Sequence, residues 1–237
     1  MKKHILAIIV LFGAIIATPI SSLAQDKFTV TGKADFVSDY IWRGAYQNSG
    51  FSVQPNLGLS YKGFTLSAWG SQSITNSDTA PQEYDINLSY NIKGFTVTIT
   101  DYWWEGMRAP YGYYADKHHF EGTISYNFGE KFPLTLSWST MFAGGDENKK
   151  GNRAFSTYIY AAYDIACPMD ITLTPSVGFT PWKGMYNPDN AAFTDISLKA
   201  SKSITVTDKF SIPLFVQTTV APAADKVYLL AGFSLGF

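Results

Sequence analysis

Along residues 84 to 92, apolar and polar side chains alternate without a fault. Tyr84, Ile86, Leu88, Tyr90 and Ile92 fall on one face, and Asp85, Asn87, Ser89 and Asn91 on the other. That is the period of two that sends successive strand side chains to opposite faces. Lys93-Gly94 then marks a tight turn, and the alternation restarts with Phe95, Val97 and Ile99 against Thr96, Thr98 and Thr100. Phe51, Val53, Leu57, Leu59 and Tyr61 lead in the same way through Lys62-Gly63 into Phe64, Leu66 and Ala68. Phe120, Ile124, Tyr126 and Phe128 lead through residues 129–131 into Phe132, Leu134, Leu136 and Trp138. Two more runs follow, Phe155 to Ile165 and Ile171 to Phe179, and the pattern predicts last strands near 192–204, 210–220 and 226–237. With a first strand near 28–42 the count is about 12, all antiparallel.

Repetition of this kind fits an all-β transmembrane up-and-down barrel, with apolar side chains toward lipid and polar ones toward the interior. An even strand number places both chain ends on the periplasmic side. The junctions agree, since those after odd strands are long and rich in Asn, Asp, Gly and Pro, as in Asn76 to Gln82, Glu105 to Asp116, Ala143 to Arg153 and Lys183 to Asn190. These are the expected extracellular loops. A soluble β-sandwich also alternates. The ending Phe233-Ser234-Leu235-Gly236-Phe237 weighs against it, because an aromatic terminus in an alternating strand resembles the strand by which outer-membrane proteins are recognised for assembly.

Composition sharpens the picture. Aromatic residues make up 16% and charged residues only 16% of the chain, a balance that exposes more apolar surface than soluble monomers tolerate. After the first 24 residues no apolar run is long enough for a membrane helix. The start reads as an export signal: Lys2 and Lys3, an apolar run from Ile5 to Ala17, and small residues at Ser22 and Ala24. The chain therefore divides into a signal peptide (1–24) and a barrel (25–237), the latter carrying 16 basic and 19 acidic residues. That near balance gives no reason to expect nucleic acid as a partner. The expected partners are outer-membrane lipid, the barrel-assembly machinery during insertion, and small solutes or ions. Cys167 is a lone cysteine and cannot form an internal disulfide.

The segment Val37-Ser38-Asp39-Tyr40-Ile41-Trp42-Arg43-Gly44 resembles the N-terminal signature of the TorF-type porin family, and Ala68-Trp69-Gly70-Ser71, Glu83-Tyr84-Asp85 and Phe120-Glu121-Gly122 resemble later strands of that family. The likeness covers about the first half of the barrel. It departs at Trp103-Trp104-Glu105-Gly106, and the second half matches only in strand pattern. It implies an outer-membrane barrel with a channel-like role, and it supplies no binding residues.

Candidate chemistry is sparse. A lipid-modifying barrel enzyme needs a serine beside a histidine, and the nearest inward serine on the strand of His119 is Ser125, about 20 Å away at strand rise. A serine on a neighbouring strand is the remaining route. His118 and His119 point to opposite faces and do not share a metal. Gly144 to Asn148 lacks the spacing of a calcium loop, and without a phosphate-cradling glycine motif no cofactor is expected. By parity the interior is charged: Lys33, Asp35, Asp39 and Arg43 on the first strand, then Glu83, Asp85, Glu121, Asp164, Asp170, Asp195 and Lys199. Such charges line a water-filled path or form a salt-bridged plug. The expected function is a passive porin-like channel for small hydrophilic solutes or ions, with a non-conducting surface barrel or a lipid enzyme as alternatives.

Overall fold

Antiparallel pairing runs unbroken around a closed wall in the computed structural model, which describes residues 27–48, 50–75, 82–106, 110–114, 117–187, 189–208 and 210–237. The segment read as a signal peptide lies outside the described residues. β1 (Thr29–Val37) is followed by a short inner pair, β2 (Tyr40–Trp42) and β3 (Ala45–Asn48). The wall continues with β4 (Ser52–Tyr61), β5 (Phe64–Ser73), β6 (Glu83–Ile92), β7 (Phe95–Trp103), β8 (His118–Asn127) and β9 (Leu134–Gly144). It is completed by β10 (Thr157–Tyr163) with its continuation β11 (Ile165–Cys167), β12 (Ile171–Thr180), β13 (Ala192–Thr207), β14 (Phe210–Ala221) and β15 (Lys226–Gly236). β1 pairs with both β4 and β15, and β12 pairs with both β10 and β13, so the ring is a closed barrel of 12 strands. Closure leaves no unpaired edge in lipid.

Local chemistry explains the turns. Lys62 and Gly63 have φ of 48° and 87°, and Lys93 and Gly94 have 51° and 84°, the paired positive values of a two-residue hairpin turn whose twist matches its strands. Short connections of this kind occupy one end of the barrel, and β5, β7, β9 and β12 run out toward the other.

The alternation places the expected face outward. Leu66, Ile99, Ile124 and Leu198, all in the middle of strands, are 52%, 49%, 51% and 50% exposed, which in water would be a continuous apolar belt and in a bilayer is the lipid contact. Trp138 is exposed beside Trp182, with ring centroids 6.2 Å apart, as an aromatic girdle requires. Trp103 shares the outward parity yet is buried, because the connection after β7 folds back so that Tyr111 packs on it. Because the ring closes on itself, unheated protein in dodecyl sulfate is expected to run at a different mobility from boiled protein. Identical mobility would mean that the ring is not closed.

The first strand is shorter than expected. A single strand over 28–42 is corrected: the wall strand stops at Val37, and Tyr40 to Asn48 turns inward as a separate hairpin. At its tip Arg43 and Gly44 have φ of 50° and 77°, the same turn as at the two Lys-Gly sites. A β-carbon on Gly44 would lie 2.1 Å from the carbonyl oxygen of Thr194. Glycine is thus required both by the turn and by the close approach of the tip to β13.

Candidate functional site

The hairpin crosses the lumen and is fastened to the far wall. Arg43 reaches β8, five strands round the ring from β1. There its guanidinium donates Nη1 to Glu121 Oε2 at 2.5 Å and Nη2 to Oε1 at 2.8 Å, a bidentate fork that lysine does not reproduce. Glu121 is 1% exposed. It also accepts from Tyr102 (3.0 Å), Tyr186 (3.1 Å) and Thr123 (3.3 Å). A buried carboxylate is tolerated only when charge and hydrogen bonds are both satisfied, and both are satisfied here.

Aromatic rings complete the anchorage. The Arg43 guanidinium lies 4.6 Å from the ring centroid of Trp42, 4.5 Å from that of Tyr158 on β10 and 5.2 Å from that of Tyr186, within cation–π range. Tyr186 also pairs directly with Arg43. Trp42 meets Tyr102, Trp104 and Tyr186 at 5.6 to 5.7 Å between centroids. At the hairpin's root Tyr40 packs on Trp69 at 5.6 Å, which places Trp69 inward as its parity requires.

Burial grades along the barrel. Near the hairpin the inward residues Gln54, Ser71, Glu83, Asp85, Thr100 and Ser139 are buried. Toward the short-turn end Ser60, Thr65, Ser67, Ser89, Thr98 and Ser125 are only half-buried, facing an accessible lumen lined with hydroxyl groups. Two cavities flank the hairpin. One, of about 240 Å³, is lined by Tyr40, Gln47, Asn48, Ser71, Glu83, Trp104 and Glu105. The other, of about 250 Å³, touches Trp42, Arg43, Met185, Tyr186 and Thr194 among others.

The charged residues expected inside divide by location. Lys33 and Asp35 lie on β1 and pair with one another at 2.8 Å. Asp39 and Arg43 are not on the wall: Asp39 sits at the base of the hairpin, accepting from Tyr46 at 2.8 Å, and Arg43 pairs with Glu121 instead of neutralising Asp39. Glu83, Asp85 and Asp195 are buried and inward. Asp195 follows a bulge in which Thr194 has no wall partner, and accepts from Tyr158 at 3.1 Å and Thr194 at 2.8 Å. Lys199 is inward with its ammonium 4.7 Å from the Phe215 ring. Asp164 accepts from Thr174 at 2.6 Å where β10 gives way to β11. Asp170 is corrected: Pro168 interrupts the ladder, Met169 and Asp170 take φ of 64° and 56°, and the carboxylate lies exposed in a turn at the rim.

The histidines point to opposite faces, as adjacent strand residues must. His118 is outward and fully buried, with Nδ1 2.6 Å from Asp101 and Nε2 2.6 Å from the Tyr111 carbonyl. His119 faces inward against Trp104 at 4.4 Å between centroids. Sequence reasoning placed Trp42 only within the N-terminal signature and did not single out Tyr102, Tyr158 or Tyr186; together these four build the box around Arg43.

Fold and site together define a 12-strand antiparallel membrane barrel whose lumen is crossed by its own N-proximal hairpin. The chain belongs to a family described as bacterial protein of unknown function (Gcw_chp), whose model matches residues 22–228. A crystal structure of an outer membrane channel from Pseudomonas putida F1 is similar over 93% of this chain and 100% of that one, at 17% identity and a TM-score of 0.42. No curated protein matches.

Proposed function

We propose that the chain is an outer-membrane barrel, exported by its cleaved N-terminal signal and inserted by the barrel-assembly machinery, that passes small hydrophilic solutes or ions through a lumen narrowed by the inner hairpin. The observation that carries this reading is the half-exposed hydroxyl lining from Ser60 to Ser125 below a hairpin that leaves cavities on both of its sides. A 12-strand ring lies between 8-strand barrels, filled by their own side chains, and 16-strand porins with an open channel. The resemblance to TorF-type porins supports the same reading. The long connections and the hairpin then lie at the extracellular mouth, and the chain ends at the periplasmic one. The ion-paired anchor of the hairpin favours one variant, a path that is narrow at rest and widens when the hairpin leaves the wall.

Planar-bilayer recordings of purified protein test it. Small unitary conductances with modest cation preference are expected, because Glu83, Asp85 and Asp164 have no basic partner among the described residues whereas Lys33 and Arg43 are both paired. The preference should fade in concentrated salt, given a screening length of ~10 Å at 0.1 M. A silent bilayer, or a preference for anions, would remove this reading.

A further inference from the structure

We propose that the cavity between the root of the hairpin and β6 is a binding subsite for a small organic ammonium ion, held by Glu83 and the amide oxygen of Asn48, with Asp85 behind Glu83, and faced by the rings of Tyr40 and Trp104. It deepens the channel reading above, on which it rests for the route by which the ion arrives.

The argument starts from unmet hydrogen-bonding capacity. Asn48 is 4% exposed and lines this cavity of about 240 Å³, and its Oδ1 has no partner. Its orientation is settled by a neighbour: Ser52 donates its hydroxyl proton to the Gly50 carbonyl at 3.1 Å, so Ser52 Oγ accepts from Asn48 Nδ2, also at 3.1 Å. That leaves the amide oxygen as a buried acceptor without a donor, an arrangement native structures rarely keep without a reason. Asp85 Oδ1 is a second such acceptor. Glu83, neighbour of Asp85 on the same face of β6, accepts from Trp104 Nε1 at 2.8 Å and from the Tyr40 hydroxyl.

The amide oxygen of Asn48 thus faces the cavity as a lone acceptor beside Glu83, and neither Glu83 nor Asp85 meets a basic side chain among the described residues. Two neighbouring buried carboxyl groups are unfavourable as a doubly charged pair unless a shared proton or a cation joins them. An ammonium N–H would supply the donor that the Asn48 amide oxygen lacks and the positive charge that the carboxyl pair lacks. A cavity of about 240 Å³ exceeds the ~30 Å³ share of one water several times over, so it has room for a small amine. Aromatic walls at Tyr40 and Trp104 suit an organic cation. A metal ion fits less well, since no group of three or more His, Cys, Asp or Glu suited to a metal occurs among the described residues.

Isothermal titration of the folded barrel in detergent with methylammonium chloride, at fixed ionic strength, tests the subsite, with potassium chloride as the comparison. Saturable methylammonium binding is expected, tighter than that of potassium. Glu83→Gln keeps an acceptor for Trp104 while removing the charge, and should weaken binding about tenfold or more. Asn48→Asp places a carboxylate where the lone amide oxygen stands and should tighten binding, a gain that a folding defect does not mimic. Absence of saturable binding, equal affinity for potassium, or unchanged affinity in both variants would each overturn the proposal. Conductance recorded on the same preparations separates the two readings. Binding without conductance keeps the subsite and removes the channel, and conductance without binding does the reverse.

Discussion

Removing the inner hairpin should raise unitary conductance several-fold while leaving the barrel folded. Val37 on β1 is the direct ladder partner of Ser52 on β4, so replacing residues 38–51 with an Asn-Gly turn closes the wall as a two-residue hairpin. All twelve wall strands are kept, at the loss of the bonds that Ser38 makes to Ala231 and Phe51 to Ile74. What is lost is the material that fills the outer half of the lumen: Trp42 and Arg43, with their contacts to Tyr102, Glu121, Tyr158 and Tyr186. Larger and less cation-selective openings are expected, because a wider path lets water screen Glu83 and Asp85. Retained heat-dependent mobility would show that the ring still closes. An unchanged conductance in a folded variant would mean that the hairpin is not the constriction.

The wall was legible because its physics is local. Alternation needs only neighbouring residues, and the Lys62-Gly63 and Lys93-Gly94 turns announce themselves by residue type, so strands from Ser52 onward fall where the pattern puts them. The hairpin obeys the same rules, yet reads as part of the first strand. Arg43-Gly44 is a third basic-Gly pair with positive φ at both residues, and the polar pair Ser38-Asp39 interrupts the apolar face just before it. Those two signals, taken together, mark a break at 38–39 and a turn at 43–44. The partners of Arg43 were not legible. Glu121, Tyr158 and Tyr186 lie 78, 115 and 143 positions away in sequence, and only ring closure brings them to one point. Strand parity gave the inward direction of Glu83, Asp85, Glu121 and Asp195 but carries no information about depth, which separates a rim residue such as Asp170 from a buried one such as Glu121.

The second large effect is expected at the anchor itself. Arg43→Met retains much of the side chain's apolar bulk against Trp42 and Tyr158 but leaves Glu121 buried and without a cation. Breaking a buried pair from one side costs about 3–5 kcal/mol, against roughly 0–1 kcal/mol for exposed pairs. With side-chain exposures of 11% and 1% for Arg43 and Glu121, the larger figure applies. Glu121→Gln should be costly for the mirror reason, since it strands the guanidinium. The double variant removes both charges, so much of the loss should return, and the cycle should show a coupling well beyond the few tenths of a kcal/mol of independent sites. Urea unfolding of the folded protein in detergent measures stability, and bilayer recordings of the same variants report whether the tip has left the wall. Either single variant should open more often or more widely than wild type, with the double variant between them. Additive losses, or single variants that conduct like wild type, would show that the pair stabilises the wall locally and does not hold the hairpin across the lumen.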